Sequence, residues 1–386
     1  MITTKNNIPV GYKDSAVGEI PQEWEVKYLG DLCDNICSGS NKERNEYGKY
    51  HIYGSTGIIG YSNSYSYNYP TILIARVGAN AGIINRGVGE YDVSDNTLIV
   101  CNNNIVYEYD FAYNQLTNYN LNKLVFGSGQ PLVTAGQLKR IKLPIPPMEE
   151  QRKIAEILGV WDEAIEKQSQ LIEKLELRKR ALMQRLLTGR TRLPGFTTPW
   201  QKVKLGEIFK ERNETKCEHL PLLSITAERG VILQSESDKK DTSNDDKSKY
   251  KRICPNDIGY NTMRMWQGRS ALSAMEGIVS PAYTIVTPKA EVDPLFISEL
   301  IKQPRVVYDF WTHSQGLVGD TLNCKFHDFS QVKVAIPSHP EQKAIAEVLT
   351  TADDEIVTHR KKLDALRLQK RGLMQQLLTG KTRVKI

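Results

Sequence analysis

A long stretch of this chain is present twice. Residues 149–192 begin EEQRKIAEIL and end LMQRLLTGRTR, whereas residues 340–383 begin PEQKAIAEVL and end LMQQLLTGKTR. The copies align without a gap at an offset of 191 residues, which places Gln151 on Gln342. Neither copy has a proline after its first residue, and its apolar residues recur at alternating spacings of four and three. This heptad pattern predicts two long helices, each of which needs a helical partner.

The heptad pattern defines a predicted helix–helix seam. In the first copy the seam residues are Ile154, Leu158, Trp161, Ile165, Ile172, Leu175 and Leu182. In the second copy they are Ile345, Leu349, Ile356, Leu363, Leu366 and Leu373. The polar interruptions also coincide, because Lys179 falls on Lys370, and such residues can fix helix register. A single helix of this kind could instead pack on the core of its own domain, but the duplicated seam favours a coiled coil.

The duplication extends beyond the helices. Trp24 and Leu29 in the N-terminal region reappear as Trp200 and Leu205, at an offset of 176 residues. At 386 residues the chain is also too long for one ordinary hydrophobic core. We therefore predict a first globular domain with an N-terminal arm, a first long helix, a second globular domain and a second long helix. Their predicted bounds are 1–147, 148–192, 193–338 and 339–386.

The globular segments have the pattern of mixed α/β domains. Runs such as YHIYGSTGIIGY, YPTILIARVG and DNTLIVCN are alternating or β-branched and are separated by Gly and Asn, which is typical of short strands. The predicted fold class is α/β (α+β), with two globular domains separated by two long helices in an antiparallel coiled coil. Roughly 38 helical residues would form a rod of about 55–60 Å. We expect the helices to pair within one chain, as a pseudo-two-fold cyclic repeat, although pairing between two chains remains open.

Composition argues against several classes of protein. The longest apolar stretch, TILIARVGANAGII, is interrupted by Arg76, so we expect neither a signal peptide nor a membrane span, and a cytoplasmic location. The six cysteines include no C-x-x-C pair, so we expect reduced thiols and no metal site. The charged stretch at residues 235–252 alternates in sign and is predicted to be a solvated loop.

No catalytic constellation is present in the sequence. There is no H-E-x-x-H, no G-x-S-x-G and no G-x-G-x-x-G after a predicted strand, which are signatures of metalloprotease, hydrolase and dinucleotide sites. The TGKT at residues 379–382 lacks the first glycine of a phosphate loop and follows a helix, so we interpret Gly380, like Gly189, as a helix C-cap. We therefore expect a binding protein that is not an enzyme, with no catalytic residues and no cofactor.

Candidate nucleic-acid-contacting residues lie in polar loops between predicted strands. Arg and Asn side chains can pair bidentately with base edges, and aromatic rings can stack on bases. The candidates are Tyr65, Arg76 and Asn80 in the first domain, and Asn261, Arg264, Trp266 and Arg269 in the second. For the tyrosine-rich loop around Tyr65, a solvated loop of good strand formers is the alternative.

These features together resemble a known family. Each domain ends in a proline-rich stretch followed by Q-x-x-I-A-E-x-L, and each long helix closes with L-M-Q-x-L-L-T-G-[RK]-T-R. Further motifs are Y-K-D-S-x-V-G-E-I-P-x-x-W near the start, R-T-R-L-P-G-F in the middle, and N-T-M-R-M-W-x-G in the second domain. The chain resembles, over its whole length, the specificity subunit of Type I restriction-modification systems.

The resemblance implies a function without chemistry. Each globular domain would be a target recognition domain that reads one half of a split site in double-stranded DNA. The helices would set the spacing between half-sites and dock two methyltransferase subunits, and restriction and translocation subunits would join through the complex. S-adenosylmethionine and ATP would be bound by those partner subunits and not by this chain. Inserting four residues after Thr188 is expected to lengthen the spacer by about one or two base pairs.

Two rival interpretations remain at this stage. A coiled-coil scaffold protein without DNA recognition would share the heptads, but would not need two divergent domains with matching frames. A self-sufficient DNA methyltransferase or nuclease would need the catalytic motifs that are missing. Salt-dependent DNA binding separates the first rival from a specificity subunit, and S-adenosylmethionine binding by the isolated chain separates the second.

Overall fold

The chain divides into two compact units. The computed structural model describes residues 8–102, 105–127, 131–226, 229–237, 246–316 and 322–386. The first unit comprises residues 1–170 and 360–386, and the second comprises residues 171–359. Within the charged stretch that was predicted to be a solvated loop, residues 238–245 lie outside the described residues.

The first 186 residues supply most of the first unit and one long helix. The strands are β1 (Tyr12–Lys13), β2 (Ile20–Pro21), β3 (Glu25–Tyr28), β4 (Cys33–Ser38), β5 (Tyr50–Gly54), β6 (Gly57–Ser62), β7 (Thr71–Ala75), β8 (Ile84–Gly87), β9 (Tyr91–Val93), β10 (Thr97–Asn102) and β11 (Lys142–Ile145). The helices are α1 (Leu29–Leu32), α2 (Tyr109–Tyr119), α3 (Ala135–Lys139) and α4 (Met148–Leu186).

The remaining residues form a similar but not identical order of elements. The strands are β12 (Gln201–Lys204), β13 (Phe209–Arg212), β14 (Leu223–Thr226), β15 (Gly230–Leu233), β16 (Lys251–Ile253), β17 (Ile258–Asn261), β18 (Ser270–Leu272), β19 (Gly277–Val279), β20 (Tyr283–Pro288) and β21 (Lys333–Ile336). The helices are α5 (Leu205–Ile208), α6 (Pro294–Leu300), α7 (Pro304–His313), α8 (Phe326–Gln331) and α9 (His339–Leu377).

The same four-stranded antiparallel sheet is present in each unit. Its strand order is β4-β10-β7-β8 in the first unit and β13-β20-β17-β18 in the second. The central strand β7 reads TILIA and is buried at every residue, as expected for a strand covered on both faces. The first unit also has a smaller sheet, β6-β5-β9, and the strand pairs β1-β2 and β11-β3, and the second unit has the pairs β12-β21, β14-β15 and β16-β19. The predicted mixed α/β class is confirmed.

Each long helix contributes to a globular core as well as to the helix pair. Ile154 and Leu158 of α4 are fully buried in the core of the first unit, together with Leu377 of α9. Ile345 and Leu349 of α9 are buried in the core of the second unit. Burying each such side chain contributes about 1.5–3 kcal/mol. From the sequence, packing in the seam and packing in a domain core were alternatives. At these positions, residues predicted for the seam also lie in a domain core.

The two long helices pack antiparallel, and ion pairs connect them. In the first unit the Lys370 ammonium donates to Asp162 Oδ1 over 2.6 Å, and in the second unit the Lys179 ammonium donates to Asp353 Oδ1 over 2.6 Å. The N-terminal half of α4 therefore lies beside the C-terminal half of α9, and the reverse holds in the second unit. The predicted antiparallel pairing is confirmed.

The glycines after the helices have the backbone of C-caps. Gly189 and Gly380 adopt φ values of 67° and 73°, a left-handed conformation that glycine adopts without a steric penalty. Helix α4 itself ends at Leu186, so the last residues of the predicted segment 148–192 form a turn and a bend. The cap interpretation of TGKT, in place of a phosphate loop, is confirmed.

A buried carboxylate anchors the first turn of each long helix. Glu150 is fully buried and accepts hydrogen bonds from Arg383 Nε at 2.7 Å and Nη2 at 2.9 Å. Glu341 is equally buried and accepts from Arg192 Nε and Nη2, both at 2.6 Å. Such two-pronged pairing compensates for the desolvation of both charges. The two arginines are the last residues of the duplicated segment, which explains why the repeat ends in T-R.

The glutamine of the Q-x-x-I-A-E-x-L motif joins each long helix to its domain. Gln151 accepts from the backbone N–H of Glu108 at 2.9 Å and donates to the Pro146 carbonyl at 3.0 Å. Gln342 accepts from the Asp293 N–H at 2.9 Å and donates to the Pro337 carbonyl at 2.9 Å. Glu108 and Asp293 are the N-cap residues of α2 and α6. The motif is therefore explained by these structural hydrogen bonds and not by a catalytic role.

Candidate nucleic-acid interface

Two equivalent loops follow the central strands of the main sheets. Residues 76–83 join β7 to β8, and residues 262–269 join β17 to β18. The first residue of each loop accepts a backbone hydrogen bond, from Val133 at 2.9 Å in the first unit and from Cys324 at 2.8 Å in the second. Because Val133 and Cys324 are related by the 191-residue offset, the loops occupy the same position in the two units. We call them the first and second reading loops.

Arg76 and Asn80 lie in the first reading loop. Both side chains are half-buried. Arg76 Nη1 donates to Ser38 Oγ at 3.2 Å, and its backbone N–H donates to the Asn96 carbonyl at 2.9 Å. The Asn80 carbonyl accepts from Ile83 at 3.0 Å, which closes the loop. Among the described residues Arg76 forms no ion pair, so its guanidinium retains donors for a ligand.

Tyr65 does not lie with these two residues. It precedes β7, whereas Arg76 follows it. The Tyr65 ring meets the Tyr50 ring edge to face, with 4.9 Å between centroids. The negative charge of Glu90 raises the pKa of the Tyr65 hydroxyl. The structure therefore places Tyr65 in a separate aromatic surface beside β5, and the three candidates of the first domain do not form one cluster.

The second reading loop brings its candidates together. The Asn261 side-chain oxygen accepts from the Met263 N–H at 2.9 Å, and its carbonyl accepts from the Arg264 N–H at 3.0 Å. A short 3-10 turn follows, in which Met265 is fully buried. Trp266 Nε1 donates to the Met263 carbonyl at 3.0 Å. These local bonds, with one buried anchor, hold the loop beyond the end of β17.

Tyr283 is a member of this surface that sequence reasoning missed. It pairs with Asn261 in the register of β20 and β17. Burial raises the pKa of the Tyr283 hydroxyl, while a hydrogen bond with the Asn261 side chain and the positive charge of Arg269 offset part of that rise. Arg269 itself is exposed at the end of the loop. No local pattern marks Tyr283, since only strand pairing places it beside Asn261.

The seven candidates have the chemistry of base recognition. Guanidinium and carboxamide groups present paired donors or acceptors in fixed planes, which match the edges of guanine and adenine in the major groove. The indole of Trp266 and the phenols of Tyr65 and Tyr283 present flat apolar surfaces. These groups are donors, acceptors and flat rings, which suit the binding of base edges and base faces.

The predicted seam residues have two degrees of burial. Those that are at most 8% exposed are Ile154, Leu158, Ile172, Leu175, Ile345, Leu349, Ile356 and Leu363. Those that are partly buried are Trp161, Ile165, Leu182, Leu366 and Leu373. The assignment of the individual residues to the seam stays a prediction, and substitutions at these positions would test it.

The described part of the chain lacks two kinds of feature. Within residues 8–386, apart from the gaps given above, no group of three or more His, Cys, Asp or Glu side chains could hold a metal ion. In the same residues no helix is both long and apolar enough to cross a membrane.

The fold defines a class of two-unit proteins in which each unit has a mixed α/β part and one half of an antiparallel pair of long helices. The family model of the Type I restriction modification DNA specificity domain matches residues 21–177 and 288–367, which is more than half of the chain. The chain belongs to this family and is a DNA specificity subunit of a Type I restriction-modification system.

Similar proteins cover nearly the whole chain. It is 26% identical to the putative type I restriction enzyme MjaX specificity subunit of Methanocaldococcus jannaschii, over 97% of each chain. It is 26% identical to the type I restriction enzyme MjaVIII specificity subunit of the same organism, over 95% of this chain and 94% of that protein. The solved S subunit from M. genitalium superimposes with a TM-score of 0.61 at 16% identity, over 98% of each chain. That likeness concerns the fold.

Membership of the family places the chemistry elsewhere. A specificity subunit is the non-catalytic recognition component of the Type I enzyme, and the cofactors reside on the methylation and restriction subunits. The chain acts in a complex with other subunits and with DNA.

Proposed function

We propose that each unit reads one half of a split DNA sequence through its reading loop. In this proposal residues 1–147 and 193–338 are the two target recognition domains, and residues 148–192 and 339–386 contain the helices that set the spacing between the half-sites. The observation that carries the proposal is the duplicated reading loop, since two equivalent loops with different side chains suit two half-sites of different sequence.

The side chains of the loops favour particular bases. Arginine pairs most often with guanine, through its O6 and N7 atoms, and asparagine pairs with adenine, through its N6 and N7 atoms. The first reading loop offers Arg76 and Asn80, whereas the second offers Arg264 and Arg269. We therefore expect guanine in both half-sites, and an adenine contact by Asn80 in the first. Phosphate contacts by other Lys and Arg residues would supply much of the affinity.

The helix pair is proposed to dock two methyltransferase subunits, and restriction and translocation subunits would join through the complex. Leu177 on α4 and Leu368 on α9 support this proposal, because they are 57% and 67% exposed and are related by the 191-residue offset. Exposed leucines in equivalent places suit two copies of one partner. The partners would bind S-adenosylmethionine and ATP.

Adenine-methylation mapping tests the proposal. A host that expresses this chain with its methyltransferase partner is compared with a host that lacks only this chain. We expect a split motif that appears only when the chain is present. If no new methylation appears although the partner is bound and active, the proposal that the two reading loops read the half-sites is wrong.

A further inference from the structure

A polar depression lies against the base of the second reading loop. Its volume is about 560 Å³, and its walls include Lys251, Lys325, His327, Asn323, Thr262 and Glu211. Thr262 is the first residue of the reading loop, and its carbonyl accepts from the Cys324 N–H at 2.8 Å. Asn323 and Lys325 flank Cys324, so the depression is tied directly to the loop. All of its residues belong to the second unit.

One polar atom of the wall has no hydrogen-bond partner among the described residues. The Asn323 side-chain oxygen is buried and has no hydrogen-bond partner in the described part of the chain. Buried polar atoms are normally paired, so the Asn323 side chain would gain a partner by turning towards a ligand in the depression. A half-turn of the amide exchanges its oxygen and nitrogen, which are not distinguished by shape. Asn323 can therefore donate as well as accept.

The charges of the wall match one phosphodiester. Neither Lys251 nor Lys325 forms an ion pair among the described residues, and both are available to an anion. The formal charges of the two ammonium groups and of the Glu211 carboxylate sum to one positive charge. A phosphodiester carries one negative charge, whereas free inorganic phosphate carries more at neutral pH. The wall is therefore matched to the backbone of DNA.

We infer that this depression binds a DNA backbone phosphate next to the bases that the second reading loop contacts. The inference rests on the proposed function, and it assigns a positioning role to Lys251, Lys325 and Asn323. Phosphate contacts fix the orientation of a protein on the duplex, and base contacts then read the sequence. A phosphate held at the base of the loop would orient that loop towards the groove.

The first unit has a different wall at the equivalent position. The 191-residue offset places Lys325 on Thr134, His327 on Gly136 and Asn323 on Leu132. The cationic and amide groups are thus replaced by a hydroxyl, a hydrogen and an apolar side chain. The phosphate site is a feature of the second unit, and the two half-sites would differ in how strongly their backbones are held.

Salt dependence and neutral phosphates together test the inference. The full chain, in complex with its methyltransferase partner, is titrated with a duplex that contains the mapped motif, at several KCl concentrations. Replacing both Lys251 and Lys325 by Gln should lower the slope of log K against log salt by about one unit, because one phosphate contact is lost. The methylated sequence should stay the same. Lys333→Gln is the matched control, since Lys333 is exposed on β21 and should leave the slope unchanged.

A methylphosphonate scan locates the phosphate. Neutralising one backbone position near the second half-site should weaken binding by the natural chain, and the same substitution should have no effect on the Lys251→Gln and Lys325→Gln double variant. The inference is wrong if the double variant keeps the salt slope of the natural chain. It is also wrong if every methylphosphonate weakens binding by the double variant as much as it weakens binding by the natural chain. If the double variant changes the methylated sequence, Lys251 and Lys325 read bases, and the inference is again wrong. In each of these cases, loss of motif recognition by the Arg264→Ala variant would still support the proposed function.

Discussion

Asp162 of α4 and Lys370 of α9 form an ion pair that is repeated with the helices exchanged. The distance between Nζ and Oδ1 is 2.6 Å, and it is also 2.6 Å between Lys179 and Asp353, which lie 191 residues away from their counterparts in the repeat. The Lys370 and Lys179 side chains are 12% and 20% exposed, whereas the two carboxylates are about half exposed. A lysine at a seam position thus has a fixed partner on the opposite helix, which favours one register of the pair.

Reversing one charge of this pair should destabilise the first unit. We expect Lys370→Asp to cost about 1–2 kcal/mol, since two carboxylates then face each other in a partly buried place. Combining it with Asp162→Lys should restore most of that loss. Hydrogen exchange of the α4 and α9 amides of the first unit, in the two single variants and the double variant, measures the coupling.

The control for this exchange is an exposed pair on the same helix. Arg367 and Asp364 are 3.9 Å apart and are 56% and 77% exposed, so Arg367→Asp should cost less than about 0.5 kcal/mol. If Lys370→Asp costs no more than Arg367→Asp, the pair does not stabilise the antiparallel register.

The two duplicated tryptophans should differ in their tolerance of phenylalanine. Trp24 is fully buried and donates from Nε1 to the buried carboxylate of Glu150 at 2.9 Å. The equivalent atom of Trp200 is buried without a partner among the described residues. Trp24→Phe should therefore cost about 1.5–3 kcal/mol more than Trp200→Phe, because only Trp24 loses a hydrogen bond to an ionised acceptor.

Local hydrogen exchange is the appropriate measurement, because two compact units need not unfold together. The amides at the start of α4 report on Trp24→Phe, and those at the start of α9 report on Trp200→Phe. Equal losses of protection in the two variants would show that the Trp24 hydrogen bond contributes nothing.

Arg264 offers a direct test of base reading, and Arg76 is its matched control. Each arginine lies in one of the two equivalent reading loops. Arg264→Ala should relax the motif at one position of one half-site, with a loss of about 1–3 kcal/mol of discrimination. Arg76→Ala should relax the other half-site only. Methylation mapping of both variants gives the answer, and an unchanged motif in either variant removes that arginine from the list of base-reading residues.

The elements with local periodicity were predictable from sequence. The helices α4 and α9, the glycine caps at Gly189 and Gly380, and the strands β5, β7 and β10 all follow from spacing or composition within a few residues of chain. The duplication added the pairing of the helices, since two copies of one seam need a shared partner. The exact end of α4 at Leu186 was not predictable, because cap residues and the last turn compete locally.

The contacts between distant residues were not predictable in the same way. Arg383 reaches Glu150 across 233 positions of chain, and no local pattern marks that pairing. Tyr283 joins Asn261 through strand register, and Tyr65 is separated from Arg76 because the two residues lie at opposite ends of β7. Residue type correctly suggested loop chemistry, but strand pairing decided which side chains share a surface.

Buried thiols should resist alkylation in the folded chain. Burial raises the pKa of both Cys33 and Cys324 to about 12, with neighbouring Cys101 and Asp34 adding to the effect at Cys33, and Asp328 at Cys324. At pH 8 their thiolate fractions should be about a thousandfold below that of a thiol with a pKa of 9. Iodoacetamide labelling followed by mass spectrometry should modify Cys217 well before either of them.

The same shifts make folding sensitive to alkaline pH. When the pKa of a thiol is higher in the folded chain than in the unfolded chain, the thiol stabilises the folded state fully at a pH below the unfolded pKa. This stabilisation is lost as the pH rises towards the folded pKa. For Cys33 and Cys324 the window runs from about 9 to about 12. If Cys33 and Cys324 are labelled as fast as Cys217 at pH 8 in the absence of urea, their pKa values are not raised.

Lengthening both helices should lengthen the spacer of the methylated motif. The sequence alone suggested an insertion after Thr188, but α4 ends at Leu186, so residues added there would extend a turn and not the helix. Four residues inserted after Gln170 and four after Lys361, which are equivalent positions in the repeat, add about 6 Å to each helix. A four-residue insertion is a stutter that coiled coils accommodate by local unwinding. Methylation mapping should find both half-sites unchanged and the spacer longer by about one or two base pairs.

An insertion in α4 alone is the control, because it shifts Asp162 and Lys179 relative to their partners and should lower stability without giving a defined new spacer. An unchanged spacer in the doubly extended chain, with methylation retained, would mean that the helices do not set the distance between the half-sites.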